Sequence, residues 1–244
     1  SKILIVAPKI LGAQWQDELK TKFDISSTVV VGNKLMSADP EDSGAIITTY
    51  QSARAYLEKI PDDRFEMLIL DEAHKLRNLY GVKTTPQVAK VFERALKQHR
   101  FRYVLMLTAT PIQNRLWDIY SLVDLLAAAR GHENPFGSEG EFYRKFIADS
   151  SEKARELNPD ARDDFRKIVY SYMSRVRRGD AKLDFPERKI LLHRVTPSAP
   201  ELALIDVIAE EIQGLFILAQ ISVLQALTSS PHALMAQLDN MAKK

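Results

Sequence analysis

The stretch LILDEAHKLRN, residues 68–78, decides how the rest of the chain is read. Leu68, Ile69 and Leu70 have the continuous apolar character of a parallel strand buried on both faces, and the run stops at Asp71 and Glu72. Charged groups placed directly after such a strand sit at the carboxyl edge of the sheet, where open α/β folds keep their ligand crevice. Companion strands are then expected, and the flanking sequence supplies them. ILIVA (3–7), STVVV (27–31), AIITTY (45–50) and RYVLMLTATP (102–111) read as strands. LGAQWQDELKTKF (11–23), QSARAYLEKI (51–60) and residues 86–98 have helical spacing. This β–α alternation argues for a three-layer α/β domain with a mostly parallel sheet.

The character changes after residue 115. LWDIYSLVDLLAAA (116–129), GEFYRKFIAD (140–149), ARDDFRKIVYSYMSRV (161–176) and the stretch from Pro200 to Leu227 all read as helical. RKILLHRV (188–195) reads as a short extended segment, and GHENPFGSEG (131–140) and LNPDAR (157–162) as loops. Two regions follow, an α/β lobe over 1–115 and a helical extension over 116–244. GLFILAQISVLQAL (214–227) is apolar nearly all the way round, the mark of a helix covered on every side. It is either the central core helix of the extension or a surface that meets another lobe or another copy.

Composition excludes more than it assigns. The formal net charge of +2 over 244 residues advertises no polyanion partner, so any nucleic-acid surface must be local. The lack of cysteine excludes a disulfide framework, a thiolate metal site and a thiol nucleophile. No apolar run reaches the roughly 18 residues of a membrane span, and the five His lack metal-site spacing.

Chemistry concentrates at two strand tips. Nucleotide hydrolysis needs a carboxylate for Mg²⁺ and a group that orients the attacking water. Asp71 suits the first task and Glu72 the second, with His74 and Lys75 placed to link them to neighbouring segments. In LTATP (107–111), the hydroxyls of Thr108 and Thr110 can bond to an acidic site on an adjacent strand. The same residues also suit a plain strand-to-helix turn with a chance acidic pair, and threonines that cap the next helix.

Order removes the ambiguity. APKILGAQWQDEL (7–19), IITTYQSAR (46–54), DEAHKLRN (71–78) and LTATPIQN (107–114), followed by PIQNRLWDIYSLVDLL (111–126), resemble the first motor lobe of the Swi/Snf-type ATPases, among the DEAH-box superfamily-two helicases. MSRVRRGDAKLDFPERK (173–189) resembles that family's double-arginine segment, and QALTSSPHAL (225–234) the region leading to the second lobe. The resemblance implies a partial RecA-like (P-loop NTPase) lobe with a helical protrusion, from an ATP-dependent duplex-DNA translocase. It implies Asp71 as Mg²⁺ ligand and Glu72 as the base positioning water. His74, Thr108 and Thr110 would couple hydrolysis to DNA grip. Pro8, Lys9, Thr48 and Thr49, with Arg175, Arg177 and Arg178, would follow the nucleic acid. Implied cofactors and partners are ATP and Mg²⁺, duplex DNA, the second motor lobe, and RNA polymerase or another DNA-bound protein. The location would be cytoplasmic (nucleoid) in a bacterium and nuclear in a eukaryote. A non-catalytic DNA- or protein-binding module is the alternative, or an RNA helicase fragment of the DEAH type, which TTY, KLRN and PIQN match less well.

One expected element is missing. GxxxxGK[ST], whose backbone N–H groups and lysine cradle phosphates, occurs nowhere in the 244 residues. The expectation is a fragment of a motor that has no meaningful ATPase activity alone. Without a strand that the family places inside the sheet, it should also be less stable.

Overall fold

The computed structural model describes residues 2–39, 44–148, 154–176, 189–194 and 196–242. Five strands form one sheet: β1 Ile3–Ala7, β2 Ser27–Val29, β3 Ala45–Thr49, β4 Met67–Asp71 and β5 Tyr103–Leu107. All pairings are parallel and the order is β2-β3-β1-β4-β5. The helices that follow the strands are α1 Gly12–Phe23, the short α2 Lys34–Ser37, α3 Tyr50–Tyr56 and α4 Gln87–Lys97.

The strand side chains alternate between two apolar layers, as the period of two requires. Leu4, Val6, Ile46, Leu68 and Leu70 face a cluster that includes Tyr50 and Ala53 of α3 and Phe92 and Leu96 of α4. Ile3, Ile5, Ala45, Ile47 and Ile69 face a second, smaller cluster, completed by Leu19 and Trp15 of α1. The apolar run of each central strand is therefore explained by burial on both sides. β5 differs, with Tyr103 and Leu105 exposed at the sheet margin.

Three further helices pack in the same compact unit: α5 Trp117–Ala129, α6 Glu139–Phe146 and α7 Arg162–Tyr172. α5 has two apolar faces. Leu122 and Leu125 join the sheet cluster, whereas Trp117, Ile119, Tyr120 and Val123 join an aromatic core with Phe136, Phe142, Phe146 and Phe165. The Phe142 ring centroid lies 4.9 Å from Trp117 and 4.7 Å from Tyr120, in the tilted arrangement that aromatic quadrupoles favour. α5, which follows the change of secondary structure at residue 115, thus packs on both cores. The compact units are Ser1–Arg177 and Arg178–Lys244.

The second unit contains α8 Ala199–Glu211, α9 Ile217–Ser229 and α10 Pro231–Ala242 around a small cluster of Ile208, Ile212, Val223 and Leu234. The stretch from Pro200 to Leu227, read as helical, is divided by a 3₁₀ turn at Ile212–Gly214 with Leu215 and Phe216 extended after it. The core-helix reading of GLFILAQISVLQAL is also corrected: in α9 only Val223 is buried. Residues 189–194 of RKILLHRV carry no strand pairing, and Ile190, Leu191 and Leu192 are exposed.

Candidate functional site

Register assembles the site. Ala7 lies opposite Thr49 across β1 and β3, Val6 opposite Leu70 across β1 and β4, and Asp71 opposite Leu107 across β4 and β5. The segments that follow, Pro8–Leu11, Tyr50, Glu72–Leu76 and Thr108–Pro111, therefore leave the sheet along one carboxyl edge. Segments separated by up to a hundred residues of sequence meet because parallel strands all end on the same side.

At the centre is Asp71. Its Oδ1 accepts the N–H of Glu72 at 2.9 Å, and its Oδ2 accepts the indole N–H of Trp15 at 2.8 Å. Its backbone carbonyl accepts the Tyr50 hydroxyl at 2.8 Å. Burial first, and then the charges of Asp71 and Glu72, push the Tyr50 hydroxyl far above the usual phenol range, so it stays protonated as that donor. The ammonium of Lys75 lies 5.3 Å from the Tyr50 ring centroid, within cation–π reach.

Glu72 has a left-handed backbone, φ 54°, a conformation uncommon for residues with a Cβ. It turns the chain sharply from β4 into the 3₁₀ turn Ala73–Leu76 and brings Glu72 Oε2 within 3.0 Å of His74 Nδ1. Thr108 Oγ1 stands 3.4 Å from the same nitrogen and also accepts the N–H of Thr110 at 3.2 Å. Glu72 and Thr108 thus converge on the one nitrogen of His74, which brings the tips of β4 and β5 together. The His74 tautomer with a proton on Nδ1 serves the Glu72 carboxylate.

The other residues singled out in the sequence divide. Pro8 is partly buried, and Lys9 is exposed beside Ile10, the most exposed of the large apolar side chains in the first unit at 86%. Thr48 and Thr49 are buried. The Thr48 hydroxyl donates to Val30 O at 2.8 Å, and Thr49 Oγ1 caps α3 by accepting the N–H of Ser52. Both hydroxyls are engaged within the chain, that of Thr48 by Val30 and that of Thr49 by Ser52. Arg175 is exposed and stands apart from the tips of the strands in sequence, while Arg177 and Arg178 lie outside the described residues.

Sequence reasoning passed over three contributors: Trp15, Arg115 and Asp118. Arg115 donates to the Gly81 carbonyl and, at 3.4 Å, to Asn78 Oδ1, tying the end of LTATPIQNR to the end of DEAHKLRN. Asp118 Oδ2 accepts the N–H groups of Gln113 and Asn114 at 3.0 Å and of Arg115 at 3.3 Å. Both lie within PIQNRLWDIYSLVDLL, but nothing in their spacing names the carbonyl or amide that each meets.

Donor chemistry at Asp71 fits a hard cation such as Mg²⁺. Each carboxylate oxygen accepts one N–H and keeps a second lone-pair direction. Among the described residues, no three His, Asp or Glu side chains converge as a metal cluster. A cation here would accordingly take most of its shell from water and phosphate, the habit of Mg²⁺. Among the same residues, no helix is long and apolar enough to cross a membrane.

A parallel sheet with an acidic pair at one strand tip and a hydroxyl-rich turn at the next defines a RecA-like lobe. The family model of the SNF2-related domain matches residues 1–234, and the chain belongs to that family. It is 32% identical over 210 residues to the uncharacterized ATP-dependent helicase YqhH of Bacillus subtilis (strain 168), an alignment covering 85% of this chain and 33% of YqhH. It is 28% identical over 200 residues to the TATA-binding protein-associated factor mot1 of Schizosaccharomyces pombe, covering 77% of this chain and 10% of mot1. The fold matches the SWI2/SNF2 ATPase core of Sulfolobus solfataricus solved with dsDNA, with TM-score 0.53 and 19% identity over 99% of this chain and 47% of that one. The α/β, RecA-like fold expected from the sequence is the fold observed. The chain spans a third or less of the length of YqhH and mot1.

Proposed function

We propose that this chain forms part of the ATP- and duplex-DNA-engaging surface of an ATP-dependent DNA translocase. The observation that carries the reading is the register that brings Pro8–Lys9, Asp71–Glu72 and Thr108 to one edge, with Glu72 and Thr108 both meeting Nδ1 of His74. Membership of the SNF2-related family and the names of the relatives support it.

In this reading Asp71 holds Mg²⁺, which when bound supplies charge neutralisation at nucleotide phosphates. Glu72 orients and deprotonates the attacking water, and His74 and Thr108 transmit the state of Glu72 to the Thr108–Pro111 turn. Thr110 acts there through its backbone N–H on Thr108. Lys9 and Pro8 lie on the nucleic-acid track. Thr48 and Thr49 shape that track from beneath, and Arg175, Arg177 and Arg178 are assigned to nucleic-acid contact on the resemblance of the double-arginine segment alone. The lobe boundary at 115/116, the second motor lobe and a DNA-bound protein partner belong to the same proposal. No residue of this chain is assigned the role of cradling phosphates, since GxxxxGK[ST] is missing from it. That observation favours a second reading, a non-catalytic DNA- or protein-binding module.

Two measurements decide. Binding of duplex DNA, followed by fluorescence anisotropy, is expected to weaken steeply with salt, to be indifferent to base sequence, and to lose about one unit of salt slope in Lys9→Ala. Binding that ignores both salt and Lys9 sinks the track assignment. Any ATP turnover by the chain is expected to drop about 10²–10⁴-fold in Glu72→Gln. Turnover that survives this substitution removes Glu72 as the base. Salt-dependent duplex binding without turnover favours the non-catalytic module for this chain.

A further inference from the structure

Trp15 lies one helical turn beyond Leu11, on the first helix to leave the carboxyl edge. The turn before it, Pro8–Leu11, is closed by the Leu11 N–H donating to Pro8 O at 2.9 Å, and it runs without a break into α1. The Trp15 ring is half-buried and packs on the second apolar layer, with Leu19 and residues of β1, β3 and β4. Phenylalanine could fill such a place. What only an indole supplies is the N–H, and that single donor goes to Asp71 Oδ2 at 2.8 Å, 56 residues away.

We infer that Trp15 is a positioning residue: its indole fixes the Asp71 carboxylate and mechanically links the Pro8–Leu11 turn to the metal-binding oxygens. The inference rests on the reading of Asp71 as the Mg²⁺ carboxylate. One donor on each oxygen stops the carboxylate from turning about Cβ–Cγ. The Glu72 N–H is local and moves with the strand, so the indole is the only one of the two donors that reports on another element. A duplex bearing on exposed Lys9 and Ile10 shifts the start of α1, and the carboxylate follows through the indole. Groups that orient a metal ligand from behind typically change metal affinity about 10–100-fold when removed.

The chain has two tryptophans, so ¹⁵N-tryptophan labelling gives two indole signals, with Trp117 as internal reference. Trp15→Phe assigns them. Asp71→Asn is expected to move the Trp15 signal and leave that of Trp117 in place. Mn²⁺ is expected to broaden the Trp15 signal more strongly, and a saturating duplex to shift it. Mn²⁺ affinity, read by water-proton relaxation, is expected to weaken about 10–100-fold in Trp15→Phe.

The inference is overturned if Asp71→Asn leaves the Trp15 signal unmoved, a test that does not need Trp15→Phe to fold. It is also overturned if Trp15→Phe, with the Trp117 signal intact, binds Mn²⁺ as wild type does. A duplex that binds without shifting the Trp15 signal overturns the mechanical link. Mn²⁺ that binds Asp71→Asn as tightly as wild type overturns the metal reading of Asp71 instead, and with it the premise.

Discussion

Asp118 shows what one buried carboxylate does for a functional turn. It is 1% exposed and accepts three successive backbone N–H groups, those of Gln113, Asn114 and Arg115, from the segment that follows Thr108–Pro111. A loop at a sheet edge has no ladder to satisfy its amides, so this side chain takes the place of a partner strand. Asp118→Ala takes their shared acceptor from those three donors, at a cost of about 1.5–3 kcal/mol, the worth of a hydrogen bond to a charged group. Urea denaturation should show that loss, with Asp118→Asn losing less because one amide oxygen can still accept. An equal loss in both variants would instead make the negative charge, and not the acceptor geometry, the source of stability. Asp71 and Glu72 were legible in the sequence because an acidic pair ending an apolar run is a local pattern. Trp15 and Asp118 were not, because a donor or acceptor that serves a remote or irregular segment has no periodicity. A Trp on the apolar face of a helix reads as core, and Trp15 is core as well as donor.

At the scale of elements, α6 owes its start to a reciprocal cap. The Ser138 hydroxyl and backbone N–H both donate to Glu141 Oε2 at 2.7 Å, and Glu141 N–H donates back to Ser138 Oγ. The Ser138 hydroxyl first, and then its backbone N–H, hold the Glu141 carboxyl below the usual carboxylate range. A carboxylate whose folded pKa is depressed contributes stability above its unfolded value, about 4.3, and loses it as pH falls through the folded value. The gap in melting temperature between wild type and Glu141→Gln is therefore expected at neutral pH and should close in acid. A gap that persists there would mean that the cap works without the charge. Gly137 enforces the same arrangement: its φ is +78°, and a Cβ there would stand 2.7 Å from Glu141 Oε2. The sequence reading starts this helix at residue 140, one residue after its observed start, because the S-x-x-E signature lies partly within the Gly-containing stretch 131–140 that reads as loop. The strands were legible because an apolar run of five, closed off by turn residues, is too short to make a buried helix. β2 is shorter than STVVV suggested: regular pairing ends at Val29, after which only the Val30 N–H still reaches Ile47 O.

For the molecule as a whole, the two compact units differ in how well their sequence pattern accounts for burial. Among the described residues of Ser1–Arg177 most of the apolar pattern finds a partner surface, in the two layers of the sheet and the aromatic core. In Arg178–Lys244 the pattern outruns the partners. Phe216, Ile217 and Leu218 are consecutive and each about 70% exposed, and Leu202, Val207, Ile221 and Leu224 are exposed beside a cluster of only four buried residues. Pattern alone states that a helix wants cover and cannot state whether the chain supplies it, which is why the α9 stretch left two readings open. Single exposed apolar residues are ordinary on protein surfaces, but a run of this length is not. The chain is accordingly expected to bind an exposed-hydrophobe dye at neutral pH, and Phe216→Ser with Leu218→Ser should lower that signal. Both changes replace exposed side chains, so the melting temperature should hold while the dye signal drops. Sedimentation at rising concentration completes the test. A clean monomer that binds no dye would show these side chains to be covered after all, and the buried-helix reading of residues 214–227 would return.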